Sequence, residues 1–206
     1  MAVTEYAVLQ LKKGFDRGEL EQVLVRVRQR QDEWMRHHQP QGLEPGQGSL
    51  STMSLGRDAD HGCCSMLITA PWDSPQAHAD WIDTETNRAC NDELAGFVES
   101  VKLFHLEPAG GRTQLRGPFF PGLIFSVFQL SVSSIGRPAL AEAYRALEKD
   151  RVGEDDHLWA GWRVEPNGEA DETLMVFWGS KSGPQKLKHL MESCDGKKQS
   201  WFRHVE

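Results

Sequence analysis

The stretch Tyr6-Ala7-Val8-Leu9-Gln10-Leu11 decides the fold, because it recurs past the midpoint as Phe125-Ser126-Val127-Phe128-Gln129-Leu130. Both copies run aromatic, small, Val, large apolar, Gln, Leu. Short apolar runs rich in aromatic and β-branched residues, bounded by turn chemistry, read as strands. The Gln at the same place in each run marks the pair as an internal repeat, and the rest of the chain can be placed by its distance from one copy or the other.

Outward from the first copy, Gly14 to Gly18 turns the backbone. Glu19 to His38 then carries Leu20, Val23, Leu24, Val27, Trp34 and Met35 at helical spacings, an amphipathic helix with a charged outer face. Gln39 to Gly48 is a long Pro- and Gly-rich loop, a connector or a lid. Ser49 to Leu55 and Cys63 to Ala70 read as strands around a polar turn at Arg57 to Gly62. Trp72-Asp73-Ser74-Pro75 starts a second helix, with Asp73 or Ser74 as cap and Pro75 at the first helical position. That helix runs through Ala77, His78, Trp81 and Ile82, and helical character resumes from Cys90 to Phe97. Val101 to Glu107 closes the half as a strand, and Pro108-Ala109-Gly110-Gly111 stops it.

The second copy repeats the order, with strands at Leu123 to Val132, His157 to Val164, Glu172 to Trp178 and Ser200 to Val205. Its helices are expected at Pro138 to Lys149 and Pro184 to Ser193. Gly183-Pro184-Gln185 answers Ser74-Pro75-Gln76, and Arg203-His204-Val205-Glu206 is matched to Phe104-His105-Leu106-Glu107. The second copy is shorter, with its losses after each helix. The expected organisation is a ferredoxin-like half over 1–111, a linker over 112–121 and a second, shorter ferredoxin-like half over 122–206.

Composition narrows the function. The 206 residues carry a formal charge of −7 without a basic stripe, which argues against nucleic acid and against anionic membrane surfaces. No apolar run approaches the ~20 residues of a spanning helix, and the N-terminus enters a strand without a signal-peptide pattern. A cytoplasmic protein is expected. The four cysteines, Cys63, Cys64, Cys90 and Cys194, contain no Cys-x-x-Cys and are expected to be reduced. A nucleophilic Cys63 or Cys64 beside His61 is the alternative, but strand neighbours point to opposite faces. No helical His-x-x-x-His with a third ligand and no glycine-rich phosphate loop in a strand-loop-helix setting occurs, and Glu154-Asp155-Asp156 reads as a solvated turn. Neither a metal nor another cofactor is expected.

A βαββαβ half keeps both helices on one face of its sheet and leaves the other face apolar and bare. Two halves in one chain can bury those faces against each other. The expected fold is therefore α+β, two ferredoxin-like βαββαβ halves whose sheets pair into a pseudo-symmetric barrel with helices outside. In Asp73-Ser74-Pro75-Gln76-Ala77-His78-Ala79-Asp80-Trp81-Ile82 and Leu103-Phe104-His105-Leu106-Glu107-Pro108 the chain resembles the dimeric α+β barrel superfamily, and within it the stress-responsive A/B barrel and antibiotic-biosynthesis-monooxygenase-like families. That resemblance implies a monomer with an internal pseudo-dimer, or a homodimer. It also implies activities that range from cofactor-free oxygenation and polyketide cyclisation to haem chemistry and plain ligand binding. Members resembling olivetolic acid cyclase place a basic His a few residues past the aromatic of the second helix, and that place falls here at Asn87.

His78 and His105 are the candidates to stand in as acid or base, with Asn87 as the third catalytic candidate. His204 occupies the place in the second copy matched to His105, and a structural strand-end hydrogen bond would also leave such a pair. Seven tryptophans are more than the core needs, and Trp34, Trp72, Trp81, Trp159, Trp162 and Trp178 fall on elements that would surround clefts between sheet and helices. Trp34, Trp72 and Trp81, with Tyr6, Gln10 and His38, are the candidate substrate-binding residues; His38 also suits a helix C-terminus, and Gln10 and Gln129 can bond each other or the backbone at the barrel seam. The expected function is cofactor-free acid–base chemistry such as cyclisation, isomerisation or dehydration of a hydrophobic small-molecule substrate in specialised, polyketide- or terpenoid-like metabolism. Cofactor-independent oxygenation of a phenolic substrate is the enzymatic alternative, and a non-catalytic ligand or haem binder the third.

Overall fold

The computed structural model describes residues 1–39, 48–57, 64–115, 119, 124–150, 156–166, 171–180 and 184–205. In the first half β1 (Val3–Leu11) leads into α1 (Arg17–His38), where the Asp16 carboxylate caps the helix by accepting from Glu19 N–H at 2.8 Å. β2 (Thr52–Arg57) and β3 (Cys64–Trp72) follow, then α2 (Pro75–Ile82), α3 (Glu85–Leu94) and β4 (Val98–Pro108). In the second half come β5 (Ile124–Ser133), α4 (Arg137–Asp150), β6 (Asp156–Arg163) and β7 (Asp171–Ser180). A 3-10 turn (Pro184–Leu187), a short α5 (Lys188–Glu192) and β8 (Gly196–His204) complete it.

The strands close into one antiparallel barrel in the order β1-β3-β2-β8-β5-β7-β6-β4. Each half contributes four neighbours in ferredoxin-like order, β4-β1-β3-β2 and β8-β5-β7-β6, and the halves join where β2 pairs with β8 and β4 with β6. The expected fold is the observed one, and a single chain closes the barrel. Side chains alternate across the strands. Tyr6, Phe104, Phe125, Phe177 and Phe202 fill the lumen, while Ala7, Leu9, Ile68 and Ala70 face α1–α3 on the outside. No helix among the described residues is long and apolar enough to cross a membrane.

Four expectations need correction. Helical character resumes earlier than expected after Ile82, because Thr84 caps a new start by accepting from Asn87 N–H at 3.0 Å; helix α3 thus begins at Glu85 and ends at Leu94 rather than spanning Cys90 to Phe97. In the second half the helix expected over Pro184 to Ser193 is a 3-10 turn and five residues of α-helix. His204 is not the counterpart of His105: Tyr6 pairs with Phe104 and Phe125 with Phe202, so the place of His105 is taken by Arg203. A one-residue slip reverses the face, and His204 lies on the strand face of Phe202 while His105 looks out toward the helices. Trp159 faces the lumen, with its indole N–H on Thr113 O at 2.7 Å, rather than a cleft between sheet and helices. Most of the proposed lid loop and of the Arg57-to-Gly62 turn, together with His61 and Cys63, lie outside the described residues.

Candidate active site

The outward face of β1 carries one charged residue in its apolar run, Glu5, which pairs directly with His105 on β4. Above them α2 starts on Ser74, whose hydroxyl accepts from Ala77 N–H at 3.1 Å, with Pro75 at its first position. This start puts His78 and Trp81 on the inner face of the helix. Glu5, His78 and His105 are 4%, 2% and 6% exposed, so three titratable side chains share an interior where unpaired polar groups are costly.

They are paired along one line. Beyond the end of β6, Glu165 accepts from the backbone N–H of His105 at 2.8 Å and meets the His105 ring at Nδ1, 2.5 Å away. His105 Nε2 lies 2.9 Å from His78 Nδ1, and His78 Nε2 lies 3.5 Å from a Glu5 oxygen. The same Glu5 oxygen accepts the Trp72 indole N–H and a Gln31 amide N–H, each at 3.0 Å. Trp72 stacks on the His78 ring at 4.5 Å, and His78 meets His105 edge to face. The chain of partners therefore fixes both imidazoles in place.

Electrostatics fixes the charge of two of these groups. Partial burial pushes the Glu165 carboxyl up, but hydrogen bonds from the His105 backbone and ring outweigh it and hold the group below the usual carboxylate range. Burial pushes His78 down from the ordinary histidine value despite the opposing pull of Glu5, so His78 is neutral near pH 7. The arrangement consistent with those charges has His105 Nδ1–H donating to the ionised Glu165 and His78 Nδ1–H donating to His105 Nε2, which leaves the lone pair of His78 on Nε2, beside Glu5.

Glu5 and His78 form one wall of a cleft of about 420 Å³ between the first-half sheet and its helices. Its other walls are largely apolar, with Leu9, Val27, Trp81, Leu94 and Leu103 among them, and Asn87 and Asn91 stand at the side formed by α3. Asn91 donates to the Asn87 side-chain oxygen at 2.8 Å, which turns the Asn87 amide N–H groups away from its neighbour. A buried basic nitrogen, a carboxylate and amide donors around an apolar space suit proton transfer to or from a small organic molecule.

The structure thus brings His78, Trp81 and Asn87 together on the cleft and sets His105 directly behind His78. Trp72 is fully buried and reaches the cleft only through Glu5 and His78, while Trp34 stands 5.9 and 5.7 Å from Trp72 and Trp81. His38 stacks on Trp34 at 4.2 Å and bonds its carbonyl, at the exposed end of α1. Tyr6 and Gln10 do not belong to this cleft. They face the lumen on the other side of β1, where Tyr6 stacks on Phe104 at 4.8 Å and Gln10 donates to Cys64 O at 3.2 Å. Sequence reasoning missed Glu5, Gln31 and Glu165. The signal for Glu5 was present as a lone carboxylate on the outward face of an apolar strand; Glu165 gave none, because it arrives from the other half across the β4–β6 seam.

No family model matches the sequence, and no curated protein matches it. Solved structures share its fold. A protein provisionally named a monooxygenase from Fusobacterium nucleatum superposes with a TM-score of 0.62 at 11% identity, over 100% of this chain and 93% of that one. Another with the same provisional name, from Lactobacillus acidophilus, gives 0.59 at 9% over 100% and 94%. An anthrone oxidase-like protein gives 0.56 at 13% over 100% and 92%. Each match spans both halves, and the likeness is one of fold.

Proposed function

For a chain that builds the dimeric α+β barrel fold within one polypeptide, we propose that the first-half cleft is an acid–base active site, which removes a proton from an apolar small molecule with an acidic C–H or O–H group. The observation that carries this reading is the hydrogen-bonded line Glu165–His105–His78, which ends on Glu5 at the cleft wall. His78 Nε2 is the accepting atom. As it takes the substrate proton, its Nδ1 proton can pass to His105 Nε2, leaving an imidazolium against Glu165, whose side chain is 38% exposed and returns the proton to water. The Glu5 carboxylate, held by Trp72 and Gln31, stabilises the transient positive charge on His78. Amide N–H groups of Asn87 can receive the oxygen on which negative charge develops.

Enolate-forming isomerisation, aldol-type cyclisation and dehydration through a carbanion each begin with this step, and a hydrophobic substrate of polyketide- or terpenoid-like metabolism suits the apolar walls. A second reading uses the same anion: met by O2 in the cleft, it would be oxygenated without a cofactor, in keeping with the names of the three proteins that share the fold. A panel of phenolic and 1,3-dicarbonyl compounds incubated in D2O and followed by NMR tests the proposal. Wild-type protein should exchange the acidic proton of at least one compound, and His78→Gln should slow that exchange by about 10²-fold or more. Equal rates in the two proteins would remove His78 as the base. Oxygen uptake in the same mixture separates oxygenation from proton transfer alone.

A further inference from the structure

The repeated glutamines have no part in the cleft. Gln10 and Gln129 project from β1 and β5 to the opposite side of the sheet and meet at one mouth of the barrel, around a cavity of about 250 Å³. The register explains the convergence. Gln10 is flanked by Ser65 on β3 and Ser100 on β4, and Gln129 by Met175 on β7 and Lys198 on β8. One layer deeper Val8 lies beside Lys102, and Val127 beside Ser200. The cavity is floored by Tyr6, Phe104 and Phe202. A polar ring therefore caps an aromatic floor.

Among the described residues the ring is charged in one sense: two lysines line the cavity and no carboxylate does, in a chain whose net charge is −7. Glutamine and serine supply further N–H and O–H donors at the same level. Burial keeps the Tyr6 hydroxyl neutral, with its titration pushed far above the ordinary range, so the floor adds no negative charge. Donors and cations above, with apolar rings below, match a molecule with an anionic head and an apolar body. We propose that this mouth is a binding site for a small organic acid, its carboxylate held by Lys102, Lys198 and the Gln129 amide and its apolar body resting on Tyr6, Phe104 and Phe202. The site lies back to back with the cleft on strand β1, where alternate residues serve the two places.

Isothermal titration of the full chain with benzoate, hexanoate and octanoate, and with benzyl alcohol and sulfate as controls, tests the proposal. At least one carboxylate should bind saturably with one equivalent, and the Lys102→Gln/Lys198→Gln protein should bind it about tenfold or more weakly. Both lysines are exposed, so that variant is expected to keep its fold, which circular dichroism verifies. His78→Gln should leave the binding unchanged, which separates the mouth from the cleft. The proposal is overturned if none of the three acids binds, if benzyl alcohol or sulfate binds as tightly as the carboxylate, or if His78→Gln rather than the lysine pair abolishes binding.

Discussion

His78 is the residue whose state the fold controls most directly. Its titration is lowered by burial, so the unfolded chain, with an ordinary value near 6.5, takes up a proton before the folded chain does. Stability contributed by this difference is present above pH ~6.5 and is lost as pH falls toward the lowered folded value. Thermal melts between pH 7.5 and 5 should show that decline, and His78→Gln should flatten it; an unchanged slope would place the sensitivity elsewhere. Glu165→Gln tests the outer end of the line. It keeps a hydrogen-bond acceptor but removes the charge that fixes the His105 proton, so proton-exchange activity should fall and its pH profile should move, with substrate affinity little changed. At the start of β2, Asp32 accepts from the backbone N–H groups of Leu50 and Ser51 and from the hydroxyls of Ser49 and Ser51. Asp32→Ala leaves those donors without their acceptor and should cost about 2–4 kcal/mol in denaturant unfolding.

At the scale of elements, the seams between the halves depend on close strand approach. A Cβ placed on Gly56 of β2 would lie 2.7 Å from both the Phe202 ring and the Trp201 carbonyl oxygen of β8. One placed on Gly161 of β6 would lie 2.8 Å from Leu106 Cβ and 3.0 Å from the Glu107 carbonyl oxygen of β4. Each seam thus has one glycine facing the other half. Because backbone atoms bound the space, relaxation is limited, and Gly56→Ala or Gly161→Ala should each destabilise by about 1–3 kcal/mol. A melting temperature unchanged in both would show that the seams open without cost. The asymmetry between the helices also has a local cause. Thr84 restarts a helix after α2, so α3 walls the cleft in the first half, whereas among the described residues the second half has only a 3-10 turn and α5 in the place of that pair.

For the whole molecule, the pseudo-symmetry builds the scaffold and its breaking makes the candidate site. The second-half counterparts of Glu5 and His105 are Ile124 and Arg203, so no equivalent line of acid and base can form there. The first-half line is completed by the second half through Glu165, and Arg137 on α4 ties the halves again by pairing with Glu107 on β4 and Glu172 on β7. Neither half can be complete alone. A fragment of residues 1–111 would expose the unpaired edges of β2 and β4 and the apolar lumen face, and should elute in size exclusion as an oligomer or aggregate. A folded monomeric fragment would contradict the dependence of each half on the other.

The repeat of Tyr6–Leu11 in Phe125–Leu130, the capped start at Ser74-Pro75 and the bare sheet face were enough to specify two ferredoxin-like halves and their closure, because alternation, capping and the need to bury apolar surface are local or additive. Sequence also marked His78, His105, Asn87 and Trp81 as chemistry-bearing types. It could not say that His78 and His105 touch, nor that Tyr6 and Gln10 face away from them, since a face depends on register and a one-residue slip reverses it. The false match of His204 to His105 shows the same limit. Tertiary structure alone brought Glu5, Gln31 and Glu165 to the two histidines, because those residues come from three separate elements, and burial in their company keeps His78 neutral.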